Sequence, residues 1–209
     1  MKRFLFVFAF VLFAISSMSA QTTENLFATG NLNGWTMYVD DPNVDPATIF
    51  KLENGILRVE GRPFGFIRTN KAYDNFVLIV QWRWVAEPSN SGIFIYMQDE
   101  LRLWPNMIEC QLAAGRSGDL LSANGARFSN SPIVDERVRA IQKKYDSSEK
   151  PAGEWNTAVI TSMSGNVSVV INGVLQNEGI DSLNKSGYIG LQSEGGPIEF
   201  RNVTLTTIP

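Results

Sequence analysis

Histidine is absent from the 209-residue chain, and cysteine occurs once, at Cys110. The first absence excludes Ser-His-Asp and Cys-His nucleophile systems, H-E-x-x-H zinc chemistry and any imidazole base. Acid–base work must therefore fall to Asp, Glu, Lys or Tyr. A lone cysteine permits neither an internal disulfide nor a CxxC metal or redox site, so the core has to hold by burial. Basic residues are also short, with 18 Lys and Arg against 21 Asp and Glu, which leaves no electrostatic footprint for nucleic acid. The unbroken apolar run from Phe4 to Ile15 falls short of the roughly 20 residues a bilayer-spanning helix needs, and no second long run follows. A transmembrane span is not expected.

That run has a different use. Lys2 and Arg3 precede it and Ser16-Ser17-Met18-Ser19-Ala20 follows, the three parts of a secretory signal. Residues 1–20 are expected to be a signal peptide cleaved near Ala20, with residues 21–209 exported to the periplasm or beyond as one domain. Loss of Lys2 and Arg3 takes the formal net charge from -3 to -5. No cysteine adjoins the cleavage point to carry a lipid.

Beyond residue 20, apolar and polar residues alternate in short runs bounded by Gly, Asn, Asp and Pro, the pattern of antiparallel strands. Asn54-Gly55 and Asn172-Gly173 each sit between such runs and predict hairpins with primed turns; Asn124-Gly125 has weaker flanks. The longest strand expected covers Asn75 to Ala86, with Phe76, Leu78, Val80, Trp82 and Trp84 on a buried side and Gln81 and Arg83 on a side covering a groove. Further strands are expected from Ile93, Met107, Thr157, Tyr188 and Ile198 onward, a spacing that suits a β-sandwich or jelly roll. Val134, Val138, Ile141 and Tyr145 recur at helical spacing and read as the single helix or, equally, as a long charged excursion.

Candidate chemistry follows from side-chain parity. Within Met107 to Leu112, Ile108, Cys110 and Leu112 face the core, so Glu109 and Gln111 emerge together on the other face. A carboxylate in so apolar a strand needs a partner or a function. The same parity pairs Gln81 with Arg83 and Gln192 with Glu194. If the three strands share a sheet, one face carries Arg83, Glu109, Gln111, Gln192 and Glu194, with Trp104 on the rim. Carboxylates and amides suit sugar hydroxyls, a guanidinium suits a carbonyl and an aromatic ring covers a pyranose face. Asn90-Ser91-Gly92 is a tight turn beside these strands, and Asp119, after Gly118, is a secondary acid candidate. Asp40, Asp41 and Asp45 match no EF-hand spacing and read as a capped loop; neither metal nor cofactor is expected.

Several ordered motifs carry a family resemblance. They include Gln81-Trp82-Arg83, Asn90-Ser91-Gly92-Ile93, Trp104-Pro105 through Glu109-Cys110-Gln111, Gly153-Glu154-Trp155-Asn156, Gly187-Tyr188-Ile189-Gly190-Leu191-Gln192 and Phe200-Arg201-Asn202-Val203. This order resembles the 3-keto-disaccharide hydrolase domain family across nearly all of the chain after residue 20. The resemblance implies a concanavalin A-like jelly-roll sandwich of two curved antiparallel sheets, an all-β fold with carbohydrate as the partner, found in exported bacterial proteins and often in Bacteroidetes. The chain departs from the family pattern at Ser193-Glu194, where relatives often carry Asp-His, and at Ala113-Ala114, where a polar residue is common.

With that substrate class, a ketone at C3 of a sugar acidifies the C2 proton. One base can then expel the glycosidic oxygen from C1, without the paired carboxylates of ordinary glycosidases. The expected roles are Glu109 as base, Arg83 as the cation stabilising the enolate, and Glu194 or Asp119 as acid or hydrating base. Gln111, Gln192, Trp104, Gln81 and Asn90 are expected to hold the sugar. The alternative is a non-catalytic, lectin-like protein using the same face. A conventional glucanase is disfavoured, since Glu109-Cys110-Gln111-Leu112-Ala113-Ala114 lacks the later acids of E-x-D-x-x-E.

Overall fold

The computed structural model describes residues 21–209; the expected signal peptide lies outside them. Fifteen β-strands form among the described residues. The first five are β1 (Thr23–Asn25), β2 (Trp35–Val39), β3 (Phe50–Glu53), β4 (Ile56–Val59) and β5 (Gly65–Tyr73). Next come β6 (Phe76–Trp84), β7 (Gly92–Met97), β8 (Met107–Gln111), β9 (Leu120–Ala123) and β10 (Val138–Ile141). The last are β11 (Asn156–Met163), β12 (Asn166–Ile171), β13 (Val174–Gly179), β14 (Gly187–Ser193) and β15 (Ile198–Thr207). The only regular helix among the described residues is a single 3-10 turn at Pro46–Thr48.

The strands form two antiparallel sheets. One runs β13-β12-β11-β6-β15-β4-β3, with β1 beside β15; the other runs β10-β9-β8-β7-β14-β5-β2. Neighbours distant in sequence, such as β6 with β15 and β7 with β14, make this the jelly roll expected. Alternation decides what lies between the sheets. Phe76, Leu78, Val80, Trp82 and Trp84 of β6 are buried and meet Ile93 and Ile95 of β7, Ile108 and Cys110 of β8 and Ile189 and Leu191 of β14 in one core. Burial of the Cys110 thiol pushes its pKa up, which suits an inert core position.

The turns obey their chemistry. Asn54 and Gly55 have φ of 51° and 75°, and Asn172 and Gly173 have φ of 49° and 86°; both pairs join antiparallel neighbours through primed turns. The acidic segment is a capped loop, with Asp41 accepting from the backbone N–H of Asn43 and Asp45 from that of Ala47.

Two expectations fail here. Residues 134–145 are not helical: Val138–Ile141 is strand β10, paired with β9, and Val134 folds back to donate to Val138. The 4-3-4 spacing of Val134, Val138, Ile141 and Tyr145 arises from a strand flanked by bends. Strand β6 is central as expected, but its second face does not share a groove with Glu109 among the described residues. Arg83 there binds Glu199 at 2.7 Å and lies 4.6 Å from the Trp155 ring, on the outside of the first sheet.

Candidate functional site

Strand β8 supplies the centre of the site. Parity sends Ile108 and Cys110 into the core and Met107, Glu109 and Gln111 to the outer face of the second sheet. Register places Glu109 opposite Phe94 of β7 and Leu121 of β9, and Met107 opposite Ala123, which in turn faces Val138 of β10. Gly92 is required beside this carboxyl, because a Cβ there would overlap Glu109 Oε1. Asn90 pairs with Glu194 in an isolated bridge just beyond β7 and β14. A cleft of about 330 Å³ results, lined among others by Asn90, Trp104, Glu109, Gln111, Arg137 and Glu194.

One end of the sheet face is closed. Phe66, Phe94, Met97, Met107 and Ala123 form a second buried cluster on it, with Tyr38 and Tyr188 alongside. The segment between β7 and β8 is anchored there: Asp99 binds Arg68 at 2.6 Å, and the Trp104 ring lies 6.4 Å from that of Phe64. The opening therefore lies over β8, β9 and β10 rather than across the whole sheet.

Electrostatics distinguish the two carboxyls. Glu109 is 4% exposed, its Oε1 is fully buried and no hydrogen bond to its side chain forms within the described residues. Burial first, and the neighbouring Glu194 second, push its pKa up to about 8, against a smaller opposing pull from Arg116. Glu194 is also raised, chiefly by burial, and is held by Gln192, whose Nε2 donates to Oε2 at 2.6 Å. Gln192 Oε1 and Asn90 Oδ1 are buried without donors. Of the lining residues, Asn90 and Glu109 thus hold acceptor oxygens without a donor among the described residues, which hydroxyl groups satisfy well. Gln111 is oriented by its own strand end: its Oε1 accepts from the N–H groups of Leu112 and Ala113 at 2.9 and 2.8 Å, so its Nε2 is left to donate.

Of the residues expected in the site, Glu109, Gln111, Glu194, Asn90 and Trp104 line this cleft, and Gln192 touches it through Glu194. Arg83 and Gln81 do not. They sit on β6 in the other sheet, where Gln81 accepts from Arg201 and Asn202 and Arg83 binds Glu199. Parity assigns a side of a strand and not a sheet, so their grouping with Glu109 was an error of topology. Asp119 is also elsewhere, buried and engaged by Arg116 at 2.7 Å and by the Lys143 N–H at 2.8 Å. Asp135 and Arg137 line the cleft unforeseen, because the helical reading of 134–145 hid their place on a hairpin beside β9.

Residues 22–206 match the family described as 3-keto-alpha-glucoside-1,2-lyase-like domain. Two solved structures of candidate glycosyl hydrolases from Parabacteroides distasonis share the fold. One has TM-score 0.65, 22% identity and coverage of 90% of this chain and 100% of that one. The other has TM-score 0.65, 18% identity and coverage of 90% and 94%. The carbohydrate binding module CBM66 from Bacillus subtilis aligns with TM-score 0.61 and 10% identity over 85% of this chain and 98% of that one. No curated protein sequence matches.

Proposed function

Since the chain belongs to the 3-keto-alpha-glucoside-1,2-lyase-like domain family, we propose that it cleaves 3-keto-glycosides in the cleft around Glu109. The observation that carries this reading is the buried Glu109 carboxyl, which has no hydrogen-bond partner among the described residues and shares its cleft with a second carboxyl, Glu194. A site that only binds sugar can accept from its hydroxyls with amides and exposed carboxylates, without burying an unpartnered acid. A base that must take a proton from carbon next to a ketone gains from a pKa near 8, since proton affinity is then matched to working pH.

In this mechanism the ionised Glu109 carboxylate removes the C2 proton and the electron pair moves to the C3 oxygen as an enolate. Gln111 Nε2 donates to that oxygen, and Arg137 on the hairpin adds positive charge at the cleft. The enolate collapses, the C1–O bond breaks, and the leaving oxygen takes up the proton that Glu109 removed from C2, while the ionised Glu194 serves as base for the water that adds next. Addition of water at C1 of the resulting enone completes hydrolysis; release of the enone before that step is the lyase outcome. Trp104 stacks on the sugar at the rim.

The test is incubation of purified protein with 3-keto-trehalose or a 3-keto-glucoside, with mass spectrometry for released sugar and either the enone or its hydrate. Release of the aglycone from the keto-sugar and not from its unoxidised parent is expected. Binding of unoxidised oligosaccharides with no cleavage of keto-sugars would replace this reading with a lectin-like one.

The displaced position of Arg83 makes a separate prediction. Arg83→Gln is expected to leave turnover unchanged within about two-fold. Its partly buried pair with Glu199 contributes on the order of 1 kcal/mol to stability, as urea unfolding would report.

A further inference from the structure

Half of the ten arginines among the described residues are matched with acids. Arg58, Arg68, Arg83, Arg102 and Arg116 each contact a carboxylate. Arg127, Arg137 and Arg139 contact none among the described residues, and all three line one further cleft of about 480 Å³. Gly125 to Arg127 form one wall of it, and the hairpin from Ile133 to Arg139 forms the other. The hairpin is held by its own backbone, with Val134 donating to Val138 and Ala140 to Pro132, so the guanidinium groups spring from a built frame.

The acids in this cleft are Asp135 and Glu136. Asp135 is occupied, because its Oδ1 accepts from the N–H groups of Arg137 and Val138 at 2.7 and 2.9 Å. Three guanidinium groups against the two carboxylates of Asp135 and Glu136 leave a surplus of one positive charge in this cleft, in a chain whose formal net charge is -3. That uncompensated charge favours a bound anion. Guanidinium forks match the paired oxygens of carboxylate or sulfate. Asp135 and Arg137 line both this cleft and the one around Glu109, so the two adjoin across the hairpin.

We propose that the cleft between Arg127 and the 133–139 hairpin is an anion subsite, which takes a carboxylate or sulfate on the part of the glycoside that extends past the hairpin. The preferred substrates are then acidic saccharides. The part played by the keto-sugar rests on the function proposed above; the anion subsite itself rests on Arg127, Arg137 and Arg139.

Calorimetry on the intact protein tests it with three unoxidised oligosaccharides of equal length, one neutral, one sulfated and one bearing a uronic acid. At low salt an acidic oligosaccharide is expected to bind at least about ten-fold more tightly than the neutral one. A gain with sulfate alone or with carboxylate alone assigns the group. The gain should vanish in Arg127→Gln/Arg139→Gln while neutral binding stays unchanged, and Arg127→Gln alone, at an exposed position, should reduce it. Equal affinity for all three sugars, or a gain that survives the double substitution, would overturn the proposal. Turnover of a neutral 3-keto-glucoside by the same double variant is read separately, so loss of the catalytic reading and loss of the anion subsite are distinguishable.

Discussion

Glu109→Gln is expected to lower turnover of a 3-keto-glucoside by about 10³-fold while the protein remains folded, because the substitution keeps the shape of the side chain and removes the base. Stability should move in the opposite direction at alkaline pH. A carboxyl whose pKa is about 8 in the folded chain and 4.5 when unfolded binds its proton more tightly in the native state. Its contribution is therefore fully present below pH 4.5 and is lost as pH rises through about 8. The shift corresponds to on the order of 4 to 5 kcal/mol between the two limits. Above pH 8 the wild type holds an ionised, buried, unpartnered carboxylate and the variant does not, so Tm of Glu109→Gln should exceed that of the wild type at pH 9 and lose that advantage at pH 4. Thermal melts across that range check the sign. A variant that loses turnover and gains alkaline stability has a carboxylate kept for chemistry; one that keeps full turnover removes Glu109 from the mechanism.

The fold was legible in sequence because its determinants are local. Period-two alternation marks β6, β8, β12 and β14, and Asn-Gly pairs mark the turns at 54–55 and 172–173. What alternation does not carry is the partner of each strand. Glu109 with Gln111 and Gln192 with Glu194 were correctly paired, since two residues two apart on one strand share a face wherever that strand goes. The grouping of Arg83 with them needed β6 and β8 in one sheet, whereas β6 lies between β11 and β15 in the other. Arg137 was missed for the converse reason: a strand bounded by bends reproduced helical spacing and hid a hairpin that belongs to the second sheet. The buried acid was thus readable from its own strand, and the cation near it only from three-dimensional pairing.

Glu194 gives the remaining large effect, through the pH dependence of the rate. The base must be ionised, so kcat/KM of the wild type should climb with pH to a limb at about 8. Burial is the larger cause of that position and the charge of Glu194 the second. Replacing Glu194 by glutamine removes the repelling charge and keeps the burial. The limb should therefore move toward acid, yet stop well above the ordinary carboxylate range. Hydration of the enone should also slow, by about 10²-fold, because the attacking water loses its base, so the enone should accumulate ahead of its hydrate while the displaced limb persists. If Glu194 only braced Gln192 through their 2.6 Å hydrogen bond, the substitution would raise KM and leave the limb in place. A limb that moves, with the enone accumulating, requires a second carboxyl that acts on Glu109 through its charge and on the adding water as a base.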